Sequence, residues 1–404
     1  MTRPDRSGRG LDGLNFFMAN VQTGFGPFIS VYLTAQAWTQ GQIGVALSVG
    51  TAAFMVSQMP AGALVDAVRS KRGLTTVAIL SIMGSALMLA LVPARLPVYV
   101  AELVHGAAGC IITPAIAAMS MTVAAAGHIS FGERLGRNAR FASIGSGLAA
   151  AAMGAIGYWV SERSVFLLTV VLAVPAIGFL RLVRDESDRV QQARSPRQPL
   201  GDALLDRRLL IFGACCACFH LANAAMLPLA AAEVTKRAGS VAELVIAACL
   251  VVPQLTVAAL SPAVGRWAEQ FGRRKVLIVG FAAVPLRGVL LAFSTQPETV
   301  VLFQVLDGVS GAVFGVLLPL VVADITRGTG RFNLCMGAIG LAIGAGATLS
   351  TTVAGFAADY FHVQGALLGL AGAGVVAVLL LWLFMPETGR PEPIVPAGYP
   401  EEAA

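Results

Sequence analysis

Charged residues in this chain fall in short clusters, and between the clusters lie apolar stretches of about 20 residues, long enough for a helix to cross the ~30 Å hydrocarbon core of a bilayer. Twelve such stretches, spans 1 to 12, are centred near Asn20, Phe54, Gly84, Cys110, Ala149, Val170, Ala217, Ala248, Ala283, Ser310, Gly346 and Gly374. Hydrocarbon offers the backbone no hydrogen bonds, so a spanning segment is either a helix or a strand of a closed barrel. Barrel strands are half this length and alternate in polarity, and these stretches do neither. The expected fold class is an all-α polytopic membrane protein with 12 transmembrane helices. A soluble globule is excluded by 56% hydrophobic against 12% charged residues.

Lys and Arg flanking a span mark the cytoplasmic side, and an even span count puts both termini on one side. If that side is the cytoplasm, it holds 23 of the 28 basic residues, and Arg95, Arg163, Lys236 and Arg237 lie outside. The net charge of +6 then reports topology and a preference for anionic lipid, and no nucleic-acid partner is expected. Arg outnumbers Lys 25 to 3 and Ala and Gly abound, a bias of GC-rich bacterial genomes. The expected localisation is a bacterial inner (cytoplasmic) membrane, multi-pass. Arg3, Arg6 and Arg9 precede span 1 as in a secretory signal, but the stretch from Leu14 to Leu33 is too long and carries Asn15, Asn20 and Gln22.

The chain also repeats itself. Gly62-Ala-Leu-Val-Asp66-Ala-Val-Arg69-Ser-Lys71-Arg72 returns 203 positions later as Gly265-Arg-Trp-Ala-Glu269-Gln-Phe-Gly272-Arg273-Arg274-Lys275. Phe-Phe-Met-Ala-Asn20 returns as Phe-His220-Leu-Ala-Asn223 at the same offset, and Glu102-Leu-Val-His105-Gly106 returns as Gln304-Val-Leu-Asp307-Gly308 at 202. Asn138 with Ile144-Gly145 is matched to Asn333 with Ile339-Gly340. The polar run from Arg181 to Arg208 separates the copies. Expected domains are a six-helix half over 1–180, a cytoplasmic linker over 181–208, a second six-helix half over 209–388 and a cytoplasmic tail over 389–404.

The twice-occurring loop resembles the loop between helices 2 and 3, and its echo between helices 8 and 9, of the major facilitator superfamily. Met385-Pro386-Glu387-Thr388 is similar to a closing sequence common there, and the resemblance covers about residues 11 to 388. It implies two pseudo-repeat halves with substrate held between them by spans 1, 4, 7 and 10, worked by alternating access. It also implies a cytoplasmic gate at Gly62, Asp66, Arg69, Lys71, Gly265, Glu269, Arg273 and Arg274. In the first copy Arg69 stands where Gly is usual and Ser70 where a basic residue is usual, so the first latch is expected to be the weaker.

Ionisable groups inside the membrane are costly and are functional candidates by default. Here they are Glu102 and His105 on span 4, Arg287 on span 9 and Asp307 on span 10, at similar depth and able to converge. Drug exporters of the superfamily often carry an Arg four residues before the glycine matching Gly106, and Gln just before it. Glu102 and His105 replace a fixed charge with two groups that can titrate. Glu102, His105 and Asp307 are therefore the proton-coupling candidates, with Arg287 as counter-ion. The competing expectation is structural pairing of Glu102 with His105 and of Asp307 with Arg287. Asn20, Gln22, His220, Asn223 and Gln304 are candidate substrate contacts in the cavity, or interhelical hydrogen bonds.

Cys215-Cys216-Ala-Cys218-Phe-His220 spreads around one helix, so no metal site is expected. No nucleotide loop or nucleophile motif is present, and an enzyme is not expected. Gly145 and Gly154 on span 5, with Gly157, partly match a glycine pattern of antiporters, and Gly346 and Gly355 on span 11 keep the spacing. The reading is a secondary active transporter of a small organic solute, cationic or amphiphilic, driven by the proton gradient without a cofactor, exporting and monomeric. The alternatives are proton-driven uptake of a metabolite or metal chelate, or a transport-dead receptor or scaffold.

Overall fold

The computed structural model describes residues 6–23, 27–38, 40–126, 129–184, 199–230, 242–294 and 296–389. Residues 185–198 of the expected linker, the tail beyond 389 and the Gln22 side chain lie outside the described set. The helices are α1 (Arg6–Thr23), α2 (Pro27–Ala35), α3 (Gln40–Ala67), α4 (Lys71–Leu91), α5 (Arg95–Ala126), α6 (Phe131–Trp159), α7 (Glu162–Leu180), α8 (Leu200–Leu204), α9 (Arg207–Asn223), α10 (Ala242–Phe271), α11 (Arg273–Phe293), α12 (Pro297–Ile325) and α13 (Phe332–Phe384).

Ten of these are long and apolar enough to cross a membrane by length and composition. The expected twelve come from two departures. Span 1 is split into α1 and α2, and α13 joins spans 11 and 12 across His362, which has φ 60° and ψ 167°. A straight helix of 53 residues would be roughly 80 Å long, far beyond one crossing, so the break returns the chain through the membrane. Large apolar side chains such as Val56, Leu96 and Phe361 stay more than two-thirds exposed, as expected of surfaces that face lipid.

Local chemistry fixes the turns. Ser70 accepts from the Gly73 N–H at 2.9 Å and caps α4, so the residue that departs from the family pattern is a helix cap. Ser130 and Glu133 form a reciprocal capping box at the start of α6.

Each half has its own apolar core, one around Leu14, Ile79 and Phe166, the other around Phe212, Phe281 and Leu317. The halves meet along two seams, α3 against α13 and α6 against α10. The seams match residue by residue. A Cβ on Gly337 would strike the Gln58 carbonyl, and one on Gly136 would strike the Ser261 carbonyl. Gly346 packs on the Ala217 carbonyl as Gly145 packs on that of Phe16. These pairs give an offset of 201 between α6 and α13. They correct the match of Asn138 to Asn333 at 195: position 333 corresponds to Gly132, and the Asn-Ile-Gly likeness is not the structural register.

Candidate functional site

At the end of the bundle where α1 begins and α13 ends, the repeated loops cross from one half to the other. Gly62 lies against the Asn333 carbonyl and Gly265 against that of Gly132, each too close for a side chain. That approach delivers the acid one turn later to a helix start. Asp66 Oδ1 accepts from the Asn333 backbone N–H at 3.1 Å and its side-chain amide at 2.7 Å, and Oδ2 accepts from the Leu334 N–H at 2.9 Å. It thus caps α13, where free N–H groups and the helix dipole favour an anion. Glu269 Oε1 accepts one N–H, that of Gly132 at the start of α6, at 3.3 Å.

Among the described residues the acid of the first loop thus accepts these three bonds across the halves and that of the second accepts one. The expectation that the first latch is the weaker is reversed. Loop residue types were the wrong guide, because strength depends on how squarely the acid meets the opposite helix end. Glu269 is drawn off by Arg273 at 3.0 Å, which also holds Asp324 at 3.1 Å. Lys71 reaches back to the carbonyls of Val65 and Val68, the latter at 2.6 Å, and so closes the C-terminus of α3. Arg69 is exposed. Arg274 donates to the Trp382 carbonyl, and Glu387 accepts from the N–H groups of Arg273 and Arg274 at 2.7 and 3.2 Å.

Sequence reasoning missed a second buried network at this end. Arg134, 1% exposed, pairs with Asp12, which Arg137 also grips at 2.6 Å. Arg134 Nε donates to Asn138 at 2.9 Å, and Asn138 donates to Ser120 at 2.7 Å. Arg134 reads in sequence as one more topology-setting charge, and nothing in the spacing shows that α1 starts beside α6.

Deeper in the membrane, the second half gathers four of the expected residues. Arg287 is 1% exposed and ion-paired with Asp307. Its Nη2 donates to the Asn223 side-chain oxygen at 2.8 Å, and its Nη1 lies 3.5 Å from Gln304 Oε1. Asn223 also donates to Asp307 at 3.4 Å. The guanidinium thus has a charge partner and polar neighbours, as a buried cation requires.

The first half has the same frame without the cation. By the repeat, Asn223, Gln304 and Asp307 correspond to Asn20, Glu102 and His105, and Arg287 corresponds to Ser85, which is buried and donates to the Ser81 carbonyl at 3.0 Å. Glu102 is 4% exposed and lodged against Gly50 of α3, where any side chain would displace its Oε2. Its Oε1 is buried without a hydrogen-bond partner among the described residues. No ion pair or hydrogen bond among those residues links Glu102 to Arg287 or Asp307. Among the described residues, then, Asp307 is paired within its own half and Glu102 Oε1 has no partner.

The other expected contacts are mostly held locally. Asn20 donates to the Phe16 carbonyl at 2.6 Å, beside Gly145. His220 sits over the Cys216 carbonyl at 3.0 Å and edge-on to Phe314, with ring centroids 4.8 Å apart. Cys215 and Cys216 are buried in the core. His105 is half-buried on the same helix as Glu102.

Two six-helix halves related by repeat, joined at matched seams and latched by acids on opposing helix ends, define a helical membrane carrier, not an enzyme. The family model described as Major Facilitator Superfamily matches residues 11–235 and 214–400, and the chain belongs to that superfamily. It is 36% identical over 399 residues to an uncharacterised MFS-type transporter of Mycobacterium tuberculosis, covering 95% of this chain and 94% of that one. Over 99 residues it is 34% identical to a class D tetracycline resistance protein of Salmonella ordonez, covering 24% and 25% of the two chains. Among solved structures, the transporter FucP in the outward conformation superposes with a TM-score of 0.75 at 15% identity, covering 94% of this chain and 99% of that one. The human organic anion transporter MFSD10 does so at 0.70 and 13%, covering 94% and 100%.

Proposed function

We propose that this carrier exports a small amphiphilic organic solute in exchange for protons, with Glu102 as the proton carrier. The observation that carries the reading is the burial of Glu102 on a helix of the expected cavity with an oxygen that no donor among the described residues satisfies. A buried carboxylate in that setting is stable when protonated and costly when charged, so it gains its proton where water reaches it and loses it where the opposite face opens. His105, one turn away, is the group that relays it. Asp307 is already neutralised by Arg287, which favours a structural role for it and makes Arg287 its counter-ion.

Export is supported by the partial likeness to tetracycline and multidrug resistance proteins and by the glycine pattern of α6. The basic-residue bias supports an inner-membrane location with both termini in the cytoplasm. On that orientation the latched end is cytoplasmic. Toward the far end of α13, residues 351–361 are largely exposed, and Gly355 meets nothing within 4 Å among the described residues. This geometry supports an outward-facing state, with Asp66 and Glu269 as its cytoplasmic gate.

The test is uptake into inside-out membrane vesicles energised by an imposed proton gradient, with a panel of amphiphilic compounds. Accumulation that collapses with a protonophore is expected for an exporter. Accumulation in right-side-out vesicles alone would sink the directional part of the proposal.

A further inference from the structure

A cavity of about 230 Å³ lies between the halves just above the α3–α13 latch. Gln58 and Phe54 of α3, Cys110 and Thr113 of α5, Leu318 of α12 and Met336 of α13 contribute to its wall. Comparison of the two seams shows what makes it. At the α3–α13 seam the crossing residues are Gly340 and Gly344; at the α6–α10 seam the corresponding positions hold Ala139 and Ser143. Gln58 corresponds to Ser261, which is fully buried, and Thr113 to Gly315. The α3–α13 seam is therefore opened by glycines at these two positions and furnished with two polar side chains.

The wall chemistry selects a ligand. Among the lining residues none carries a charge at neutral pH, so a charged group there would lie unpaired in a low-dielectric space. Among the described residues the Gln58 amide and the Thr113 hydroxyl make no hydrogen bond, and Cys110 is engaged with the Phe54 carbonyl at 3.0 Å. The volume is below the ~300–1,000 Å³ of sites for drug-sized molecules, which limits the occupant to a compact moiety of one or two rings. Glu102, Gly106, Gly109, Cys110 and Thr113 follow one stripe of α5, so this space begins roughly 10 Å along the helix from the acid and extends to roughly 18 Å.

We infer that this cavity is a binding site for an uncharged aromatic or alicyclic moiety, with Gln58 and Thr113 as its hydrogen-bonding groups. The inference rests on the transport reading above, and narrows its substrate class to molecules that present a neutral apolar end to the α3–α13 seam. Because the walls come from both halves, an occupant is held only while the latch end is closed.

The test uses the purified full chain in lipid nanodiscs, titrated with 1-naphthylamine, an uncharged two-ring aromatic amine, against empty nanodiscs, with ethidium as a charged control. Saturable binding of the amine is expected. Gly344→Leu fills the cavity at a point where a Cβ would meet Met55 at an ordinary 3.6 Å, and should weaken that binding at least tenfold. Thr113→Val, which keeps shape, should weaken it severalfold. Absence of saturable binding to the wild type, or binding unmoved by both cavity variants, would overturn the site. Cavity-dependent binding without transport of the amine in vesicles supports the site and counts against the transport reading instead.

Discussion

Removing the Asp66 carboxylate should loosen one latch far more than removing that of Glu269. Asp66 accepts three bonds from Asn333 and Leu334, at 3.1, 2.7 and 2.9 Å. Bonds to a charged acceptor contribute about 1.5–3 kcal/mol each when buried, but Asp66 is half-buried and water replaces much of what is lost. A cap substitution to Ala costs about 0.5–2 kcal/mol. Two backbone N–H groups and one amide lost together place Asp66→Ala at the top of that range, about 2 kcal/mol. At 1.36 kcal/mol per tenfold, that is roughly a 30-fold shift toward the unlatched state. Asp66→Asn should cost nearly as much, because its amide must turn a donor toward a backbone N–H. Glu269→Ala removes one bond of 3.3 Å and should shift its own contact about fivefold. Hydrogen–deuterium exchange reads this directly, at the Asn333 and Leu334 amides for one latch and at Gly132 for the other. Equal acceleration at both latches, or none at Asn333 and Leu334 in Asp66→Ala, would refute the reasoning.

Other expectations follow from buried charge and close packing. Asp307→Leu should destabilise by about 3–5 kcal/mol because it strands the buried Arg287, Arg287→Met should cost less because Asp307 is partly exposed, and the double variant should recover most of the larger loss; thermal unfolding in detergent measures all three. Asp12→Ala strands the buried Arg134 and should cost a similar ~3–5 kcal/mol, with faster exchange at the start of α1 as a second readout. Gly50→Ala meets only the flexible end of Glu102, so it should change stability by less than about 1 kcal/mol yet displace the carboxyl and impair proton-coupled transport; normal coupling in that variant would count against the assigned position of the acid.

The architecture was legible because two physical signals agree along the chain. Spans of membrane length show the helices, and the offset of about 203 shows the halves. The loops at Gly62 and Gly265 revealed close approach, since only glycine tolerates the opposing carbonyls. The pairing of Asp307 with Arg287 was among the alternatives that sequence allowed. What residue type could not show was reach. Whether Asp66 or Glu269 is the stronger latch depends on the angle at which each meets a helix end in the other half. The pairing of Asp12 with Arg134 joins residues 122 apart with no repeat to flag it. Gln58 and Thr113 were overlooked because their significance is relative: they stand out only beside Ser261 and Gly315, once the true register of the seams is known. That a serine, Ser85, stands where the second half has Arg287 likewise emerges only when the two halves are aligned.

Proton coupling through Glu102 is tested most directly in proteoliposomes loaded with a pH-sensitive dye, comparing wild type, Glu102→Gln and Asp307→Asn during solute-driven transport. The prediction is solute-dependent proton movement in the wild type, reduced in Glu102→Gln to the level of protein-free liposomes while solute binding persists. Asp307→Asn should retain coupling in whatever fraction stays folded. Full proton movement in Glu102→Gln, or its loss only in Asp307→Asn, would contradict the account.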